Sequence, residues 1–454
     1  MLVLLGLCLS GCQTIPDTQK MVQQSNPQAQ DLEIQGVNKN LSQASVDNVI
    51  NRLAGSDEAE ALLEKQLKIT QSITNLPLIA GNDTELLFDG EETFKAIFDA
   101  LESARSHINL EYFIFENIIY KETSLQELLI KKRSEGVAVN IIYDALGSAF
   151  TEALFFESLK NAGVKLTEYH SIDLENINDI NHRDHRKMMI VDGKVAIVGG
   201  VNLSSAYHRK SRFGSSGASK APKNAEEAYW RDTDLLIKGP AVAALQTLFL
   251  EHWDTNQPLD QQGFFPELEK AGSEFIHVIG SSPKDDKHYF YATLVAAINN
   301  AAKTIVMCSA YFVPTDDQKK ELIDASKRGA SVELILPGLT DSTVSLYVQR
   351  SHYGDLLESG IQIYEMSTEV LHAKTISIDG VWSVVGSSNF DFRSATLNEE
   401  VDVVVLGSKT ANQLDVKFAK DKKKAKKVEL KEWRNRSILE RLKEQLSKII
   451  QKLL

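Results

Sequence analysis

A histidine and a lysine two positions apart occur at two places in the chain, each time at the start of an apolar run. The first copy is His185 and Lys187, and the second is His372 and Lys374. Residues two apart on a β-strand point to the same face. An imidazole can attack or donate a proton near neutral pH, and an ammonium group beside it can hold an anion. Each copy therefore predicts a small phosphate site that contains a nucleophile.

Each copy continues through an Asp-Gly pair into a return strand that ends in small residues and an asparagine. Asp-Gly predicts a two-residue hairpin turn. About seven strand residues place Asp192 and Asp379 roughly 20 Å from their histidines, so we interpret both as structural turn residues. The same register places a small residue opposite each histidine and a phosphate-binding amide nearby. The small residues are Gly200 and Ser387, and the amides are Asn202 and Asn389.

An acidic residue further along each half is a better candidate to orient the histidine. Asp232 and Glu400 fall at matching places in two later strands. We predict that each accepts a hydrogen bond from Nδ1 of the histidine in its own half. That bond would fix the tautomer and leave Nε2 free to react. A structural ion pair is the alternative role for both carboxylates.

The segments around these motifs alternate between helix and strand, and the same order occurs twice. In the first half we predict helices at 93–104, 124–134 and 150–161, and strands at 108–115, 137–143 and 164–169. In the second half we predict helices at 289–302, 316–327 and 343–358, and strands at 305–312, 331–336 and 361–364. Such alternation indicates an α/β fold with helices on both faces of a sheet. One site with both histidines requires the halves to pack face to face about a pseudo-twofold axis, around one central cleft.

Changes in composition divide the chain into five segments. A signal peptide at 1–11 and a polar tether with an N-terminal helix at 12–78 precede the two halves, which span 79–258 and 269–410. A basic segment with an amphipathic helix follows at 411–454. Residues 208–226 form an insert without a counterpart in the second half. We expect this insert either to gate the cleft at its rim or to be a disordered loop.

Both ends of the chain predict contact with a membrane. Residues 9–12 (Leu-Ser-Gly-Cys) resemble the lipobox of bacterial lipoproteins, in which the signal is cut and the cysteine, here Cys12, is lipidated. Gln13 is typical of lipoproteins sorted to the outer membrane, so we expect a lipid anchor facing the periplasm. The lysines between 417 and 427 favour anionic lipid. For the helix after them we favour packing on the body, with lipid contact as the alternative.

Charge and cysteine content exclude several classes of function. A net charge of −12 argues against nucleic acid as the main partner, because nucleic acid favours a basic surface. The three cysteines, at 8, 12 and 308, form no CxxC pair or Cys/His cluster, so we expect no structural zinc. Cys308 is expected to be a buried apolar residue of a strand.

The doubled His-x-Lys-x₄-Asp motif, with its trailing small residues and asparagine, resembles the phospholipase D superfamily over about residues 84 to 454. Within that superfamily the chain is most similar to bacterial cardiolipin synthases. The stretches that carry this similarity are 110–115, 143–148, 229–233, 311–314, 389–394 and 398–400. Many cardiolipin synthases begin with two transmembrane helices, where this chain has the lipobox-like stretch. That difference leaves the membrane side and the physiological substrate open.

The resemblance implies a two-step phosphatidyl transfer that needs no metal or other cofactor. His185 would attack the phosphorus of phosphatidylglycerol while His372 protonates the leaving glycerol. His372 would then activate a hydroxyl of a second phosphatidylglycerol, which gives cardiolipin. Lys187, Lys374 and the two asparagines would hold the phosphoryl oxygens. The residues alone do not say which histidine attacks. The alternatives are a phospholipase D that transfers to water, a nuclease, and a non-catalytic lipid-binding scaffold.

Overall fold

The computed structural model describes residues 16–25, 31–37, 39–54, 57–171, 181–208, 224–225, 227–449 and 451. The predicted signal peptide, the lipidation site Cys12 and most of the 208–226 insert lie outside the described residues.

The strands and helices follow the alternating order that the sequence predicts. The strands are β1 (Ile34–Gln35), β2 (Leu78–Phe88), β3 (His107–Tyr112), β4 (Ile119–Tyr120), β5 (Thr123–Ser124), β6 (Ala138–Asp144), β7 (Lys165–Tyr169), β8 (Lys187–Val191), β9 (Val195–Gly199), β10 (Trp230–Arg231), β11 (Thr233–Lys238), β12 (Glu274–Ser281), β13 (Thr304–Cys308), β14 (Ser331–Pro337), β15 (Gln362–Met366), β16 (Val370–Leu371), β17 (Thr375–Ile378), β18 (Trp382–Gly386), β19 (Glu400–Leu406) and β20 (Lys426–Lys427). The helices are α1 (Thr18–Ser25), α2 (Gln43–Ala54), α3 (Asp57–Thr74), α4 (Asp89–Ser103), α5 (Leu125–Ser134), α6 (Ala153–Asn161), α7 (Val242–His252), α8 (Tyr289–Asn299), α9 (Asp316–Arg328), α10 (Thr343–Ser351), α11 (Tyr353–Glu358), α12 (Phe392–Thr396), α13 (Ser408–Lys422), α14 (Leu430–Arg434) and α15 (Ile438–Lys448). The predicted helix at 343–358 is therefore two helices, which meet at His352.

One mixed sheet runs through both halves of the molecule. Its order is β20-β15-β14-β13-β17-β18-β19-β12-β2-β11-β9-β8-β3-β6-β7, and β1 pairs with β2 outside this path. Read outward from the central β2–β12 pair, the two sides match strand for strand, from β11 and β19 to β7 and β15. This repeat confirms the predicted α/β fold with a pseudo-twofold axis.

The two halves meet edge to edge rather than face to face. β2 and β12 are antiparallel neighbours, with Phe275 opposite Ala80 and Ile276 opposite Ile79. Strand pairing thus satisfies the backbone hydrogen bonds of both inner edges. Apolar residues of both halves, Ile237 and Val403 among them, belong to one shared core cluster beside this junction. The junction therefore fixes the two halves relative to each other.

The hairpin after each motif has a three-residue loop, so the prediction of a two-residue turn is wrong. Val191 pairs with Val195, and Ile378 pairs with Trp382. The extra loop residue shifts the register of each hairpin by one position. The predicted placement of Gly200 opposite His185, and of Ser387 opposite His372, is wrong for this reason. Both small residues lie beside the orienting carboxylates instead.

The motif aspartates lie in these turns, in the left-handed region, with φ of 54° for both Asp192 and Asp379. The Asp192 carboxylate accepts hydrogen bonds from the backbone N–H groups of residues 105, 106 and 107, just before β3. Asp379 does the same for residues 302, 303 and 304, before β13. Each aspartate thus ties its hairpin to the neighbouring strand, which is a structural role.

The N-terminal segment is more ordered than its polar composition predicts. Residues 18–25 form α1, and β1 pairs with β2 in parallel, with Ile34 opposite Leu78. Leu32 and Ile34 are buried in the core of the second half, together with Val46 and Ile50 of α2. The prediction of a tether fails for these residues because β1 pairs with β2 and the side chains of Leu32 and Ile34 are buried. Among the described residues no helix is long and apolar enough to cross a membrane.

Candidate active site

His185 and His372 each lie just beyond a short stretch of chain that pairs with the opposite half. The backbone N–H of His185 donates to the carbonyl of Glu399 at 2.9 Å, and that of His372 donates to the carbonyl of Arg231 at 2.7 Å. A parallel bridge joins Asp184 to Glu399 at the first contact, and β10 pairs with β16 at the second. The backbone of one half therefore positions the histidine of the other.

Each histidine is hydrogen-bonded to the carboxylate of the other half. His185 Nδ1 lies 3.0 Å from Glu400 Oε2, and His372 Nδ1 lies 2.7 Å from Asp232 Oδ2. The prediction that each carboxylate serves its own half is wrong. Glu400 directly follows the residue that pairs with His185, and Asp232 directly follows the residue that pairs with His372. Comparing the halves identifies the two carboxylates but not their partners.

Side chains of the second half surround Glu400. Ser394 Oγ donates to Glu400 Oε1 at 2.7 Å, and the Asn398 amide lies 3.4 Å from the same oxygen. Ser387 Oγ donates to Oε2. The carboxylate is fully buried, so these donors replace the water that it loses on folding.

A different set of groups surrounds Asp232. The Tyr207 hydroxyl lies 3.1 Å from Asp232 Oδ2 and 3.0 Å from His372 Nδ1, and the backbone N–H of Thr233 donates to Oδ1 at 2.8 Å. A Cβ atom added at Gly200 would lie 2.1 Å from Asp232 Oδ1. Position 200 must therefore be glycine for this carboxylate to stay in place.

Tyr207 and Ser394 are site residues that the sequence reasoning missed. Each lies five residues after the asparagine of its half, Asn202 or Asn389, and each donates to the carboxylate of its half. The equal spacing is the signal that could have found them. It was hidden because the two residues differ in type and because Tyr207 borders the insert.

Both lysines are buried and held by their own motifs. Lys187 Nζ donates to the carbonyl of His185 at 2.6 Å, and Lys374 Nζ donates to the carbonyl of His372 at 2.6 Å. Lys374 Nζ also lies 3.1 Å from His372 Nε2, the reactive nitrogen. Each ammonium group is therefore fixed beside its imidazole.

The two asparagines are buried at the same level of the site. Asn202 Oδ1 accepts from the backbone N–H of Ile114 at 3.2 Å, which leaves the amide nitrogen as the donor end. The backbone N–H of Asn389 donates to Ser394 Oγ at 3.0 Å. Asn389 Oδ1 has no hydrogen-bond partner within the described residues.

The aromatic surroundings of the two histidines differ. The Phe113 ring contacts His185 edge-on, with ring centroids 5.3 Å apart. His372 lies among three rings, with Trp230 at 5.1 Å and Tyr207 and Tyr311 both at 6.2 Å. These rings shield both imidazoles from bulk water.

Burial makes the first histidine neutral and its carboxylate ionised at neutral pH. Burial, helped by the nearby charge of Lys187, lowers the pKa of His185 to about 4, and Glu400 only partly offsets this. Burial alone would raise the pKa of Glu400, but interaction with His185 and Lys187 outweighs it and holds that pKa at about 2. A neutral imidazole that donates from Nδ1 to a carboxylate keeps the Nε2 lone pair available.

The other groups of the site shift in the same directions. Burial and the charge of Lys374 lower the pKa of His372, while the pKa of Asp232 is lowered because His372 outweighs the effect of burial. Burial lowers the pKa of Lys187 to about 7 and that of Lys374 to about 8. The two lysines therefore lose their charge far more easily than an exposed lysine does.

The two half-sites interact across the interface between the halves. Each imidazole is hydrogen-bonded to a carboxylate of the opposite half. The charge of Lys374 lowers the pKa of His185, and the charge of Lys187 lowers that of His372. The charge of Lys374 also lowers the pKa of Lys187. The protonation of each half-site therefore depends on the other.

A buried ion network also joins the halves next to His185. The Arg186 guanidinium donates to Glu399 at 2.9 Å and lies 3.5 Å from Glu111 Oε1. Ligand atoms of Glu111, Asp184 and His252 lie within 4.8 Å of one another, as in a metal site. Arg186 already supplies a positive charge there, so we interpret the cluster as an ion network that locks Glu399, and with it Glu400, in place.

Comparison with known proteins agrees with this site. The family model "Cardiolipin synthase, PLD-like domain" matches residues 97–212 and 294–422, one match in each half. A cardiolipin synthase of Geobacillus thermodenitrificans is 33% identical over 410 residues, covering 89% of this chain and 78% of that protein. Cardiolipin synthase 1 of Bacillus cereus is 31% identical over 408 residues, covering 87% and 77%.

A solved structure supports the fold alone. The phosphatidylserine synthase of Haemophilus influenzae matches with a TM-score of 0.62 at 14% identity, covering 85% of this chain and 98% of that one. Each of the two family matches contains one His/Lys pair, and the relatives align over most of both chains. This chain therefore belongs to the cardiolipin synthase family of phospholipase D-like proteins.

Proposed function

We propose that the protein is a phosphatidyltransferase that joins two molecules of phosphatidylglycerol into cardiolipin and glycerol, through a phosphatidyl-histidine intermediate. The observation that carries this proposal is the pair of crossed His–carboxylate hydrogen bonds around two buried lysines. A carboxylate on Nδ1 directs each Nε2 at one shared volume. The membership of the cardiolipin synthase family supports the choice of substrate.

In the first step, His185 Nε2 attacks the phosphorus of phosphatidylglycerol. A P–N bond forms and the P–O bond to the glycerol headgroup breaks. His372 donates its Nε2 proton to the departing oxygen, which avoids the release of an alkoxide. The negative charge of the bound phosphodiester raises the pKa of His372, so substrate binding itself protonates the acid. Glu400 stabilises the positive charge that develops on His185.

In the second step, His372 is neutral and acts as the base. It accepts the proton of a headgroup hydroxyl on a second phosphatidylglycerol, and that oxygen attacks the phosphorus. The P–N bond to His185 breaks and cardiolipin is released. Lys187 and Lys374, together with the amides of Asn202 and Asn389, stabilise the negative charge that grows on the phosphoryl oxygens in both steps. The chemistry is thus carried by side chains of the protein.

The chain ends supply the proposed location. Cleavage after residue 11 and lipidation of Cys12 would anchor the protein to a membrane of the bacterial envelope, with the outer membrane favoured by Gln13 and the catalytic body in the periplasm. The lysines between 417 and 427 would contact anionic headgroups. Mass spectrometry of the N-terminal peptide and fractionation of the two membranes test these statements.

A headgroup-labelled substrate tests the reaction. Purified protein with phosphatidylglycerol is expected to give cardiolipin and free glycerol in equal amounts. The His185→Ala variant is expected to lose at least about 10⁴-fold in rate, because it lacks the nucleophile. Phosphatidic acid as the only lipid product would instead show transfer to water. Full activity of His185→Ala would refute a covalent route through this residue.

A substrate with an aryl leaving group separates the roles of the two histidines. Nitrophenolate leaves without protonation, so phosphatidyl-p-nitrophenol needs the nucleophile but not the acid. His372→Ala should release one equivalent of nitrophenol and accumulate a phosphatidyl group on His185, which peptide mass spectrometry can locate. His185→Ala should give no burst. The opposite pattern would assign the attack to His372.

A further inference from the structure

The C-terminal helix α15 turns its apolar side chains to solvent. Ile438, Leu439, Leu442, Leu446 and Ile449 are between 53% and 84% exposed. They recur at helical spacing and form one stripe. The helix packs on the body as expected, but this stripe is not the side that makes the contact. An uncovered stripe of this length is uncommon on a soluble surface and indicates a binding face.

Polar contacts explain why α15 sits this way round. Glu444 is 2% exposed and forms an ion pair with Arg436. Lys443 lies 3.4 Å from the Tyr347 hydroxyl on α10. The charged side of α15 thus packs on α10 and the preceding turn, which orients the apolar side outward. The stripe is a fixed feature of the surface rather than a frayed end.

The first half carries a second exposed apolar patch. Leu146, Phe150 and Leu154 are 46%, 101% and 70% exposed, in the loop after β6 and the start of α6. Ser148 fixes this loop, because its hydroxyl donates to the carbonyl of Phe113 at 3.2 Å. The Phe113 ring contacts His185. The patch is therefore attached to the wall of the active site.

The two patches lie near corresponding elements of the repeat. α6 follows β6 as α10 follows β14, and α15 packs on α10. The loop before α10 also reaches the site, since the Tyr311 hydroxyl donates to Asp341 at 2.8 Å and the Tyr311 ring faces His372. β6 and β14 run parallel to β3 and β13, so both loops lie at the carboxyl ends of these strands. The loops before α6 and α10 therefore both lie at the end of the sheet that carries the site.

The charge around α15 is opposite to that of the whole chain. Residues 417–448 contain thirteen Lys or Arg and five Asp or Glu, a net charge of +8, whereas the chain as a whole has −12. The side chain of Lys426 is 83% exposed and that of Lys427 is 47% exposed. A basic segment beside an apolar stripe matches an anionic bilayer, in which phosphate lies above acyl chains.

We propose that the α15 stripe and the Leu146–Phe150–Leu154 patch together form a docking surface for an anionic phospholipid bilayer. The two patches enter the interface, and the more exposed basic residues between 417 and 448, Lys426 among them, contact the headgroups. The surface presents the cleft to lipids without removing them from the membrane. This inference deepens the proposed function, since it rests on a substrate that resides in a bilayer.

Vesicle sedimentation tests the surface directly. The full-length chain carrying Cys12→Ser, which cannot be lipidated, should bind vesicles of phosphatidylcholine plus phosphatidylserine and bind those of phosphatidylcholine alone at least about tenfold more weakly. Leu439→Gln combined with Leu446→Gln should weaken binding at least about tenfold, and Phe150→Ser should weaken it several-fold. Neither change touches the site. The loss of binding should therefore be the same for vesicles of lipids that resist cleavage and for vesicles of substrate lipids.

Matched controls lie elsewhere on the surface. Val416 on α13 and Ile119 on β4 are 55% and 56% exposed, so Val416→Gln combined with Ile119→Gln should leave binding unchanged. Phe265 is 51% exposed beside the Asp192 turn, at the far end of β8 from His185, so Phe265→Ser is the control for Phe150→Ser. Equal loss in test and control variants would overturn the proposal.

Two further measurements separate this inference from the catalytic proposal. On short-chain phosphatidylglycerol below its micellar concentration, the docking variants should keep the rate of the Cys12→Ser parent. A parent that is active there but does not bind anionic vesicles would overturn the docking surface alone. Analytical ultracentrifugation tests the alternative that a second copy of the chain covers the stripe. If the α15 changes dissociate an oligomer and leave vesicle binding intact, the stripe contacts a second copy and the proposal fails.

Discussion

The two half-sites perform the same task with different residues. Around His185, a glutamate from the second half is held by two serine hydroxyls, Ser387 and Ser394. Around His372, an aspartate from the first half lies against Gly200 and receives the Tyr207 hydroxyl. Glutamate is one methylene longer than aspartate, and it has Ser394 where the shorter aspartate has the larger Tyr207.

The difference teaches that each carboxylate and its neighbours form one unit. Ser387 occupies in the second half the position that Gly200 occupies in the first, and Ser394 occupies the position of Tyr207. The first half combines the smallest residue, Gly200, with the large Tyr207, whereas the second half has a serine at both positions. The distance from the histidine Nδ1 to the carboxylate oxygen is thereby kept at 3.0 Å for His185 and Glu400 and at 2.7 Å for His372 and Asp232. We therefore expect single exchanges between the halves to fail although the residues are equivalent.

The strongest way to break the comparison is to remove either carboxylate charge. An amide at Glu400 or Asp232 can donate to Nδ1, which moves the imidazole proton to Nε2 and abolishes the reactive lone pair. We expect Glu400→Gln and Asp232→Asn each to lower kcat on the order of 10⁴-fold with little change in KM. With the aryl substrate, only Glu400→Gln should abolish the nitrophenol burst, because Glu400 serves His185 across the interface.

The chain offers a matched control for these two changes. Asp234 and Asp402 lie two residues further along the same strands, and burial raises the pKa of both well above the ordinary value. Burial thus favours the neutral form of both carboxyl groups, which an amide resembles, so Asp234→Asn and Asp402→Asn should change kcat less than about threefold. A burst that survives in Glu400→Gln but not in Asp232→Asn would show that the carboxylates act within their own halves.

The next largest effect should come from the small residues beside the carboxylates. A methyl group at Gly200 would overlap Asp232 Oδ1, so Gly200→Ala should displace Asp232 from His372 and cost about 10²-fold in kcat. Ser387→Ala removes one of several donors to Glu400 and should cost about tenfold. Steady-state kinetics, with circular dichroism to verify folding, measures both. Equal losses would mean that the two positions are interchangeable.

A smaller asymmetry is expected at the two hydroxyls that the sequence reasoning missed. Tyr207→Phe removes a group that contacts both Asp232 and His372, so kcat should fall about tenfold. Ser394→Ala leaves Glu400 with Ser387 and Asn398, so kcat should fall only about threefold. The pH profile distinguishes a positioning role from a packing role, because only the former shifts the pKa of His372. A larger loss in Ser394→Ala would reverse the comparison.

The repeat was predictable because it is local in sequence. The His/Lys spacing, the apolar strands and the alternation of helix and strand each depend on short windows, and they sufficed to predict two α/β halves. The same windows identified Asp232 and Glu400 as the candidate orienting residues. What they omit is which strand lies beside which. The pairing of Asp184 with Glu399 joins residues more than two hundred positions apart, and together with the β10–β16 pairing it decides which carboxylate meets which histidine.

Other errors also trace to non-local or single-residue effects. The hairpin loops hold one more residue than Asp-Gly alone requires, which moved Gly200 and Ser387 by one position. The β1–β2 pairing and the burial of Leu32 and Ile34 dock a stretch that its polar composition assigned to a tether. The orientation of α15 depends on the Arg436–Glu444 ion pair, which a hydrophobic pattern does not register.

The finest test of the comparison uses pH, because burial lowers the pKa of Lys187 to about 7 but that of Lys374 only to about 8. Because kcat/KM reports the free protein, it should already fall as His372, whose pKa is lowered by burial, loses its proton. A lysine is cationic below its pKa, so kcat/KM should fall further as pH rises through about 7, where Lys187 loses its charge. On the acid side, kcat/KM should fall as pH drops through about 4, where His185 becomes protonated.

Arginine stays charged throughout this range. In Lys187→Arg the alkaline limb should therefore move to the value set by Lys374, about 8, whereas in Lys374→Arg it should stay near 7. The kcat profile should have its alkaline limb at higher pH than that of kcat/KM, since bound phosphate favours both cations. The same limb in both variants would mean that neither lysine sets it, and the charges would then have to be assigned elsewhere in the site.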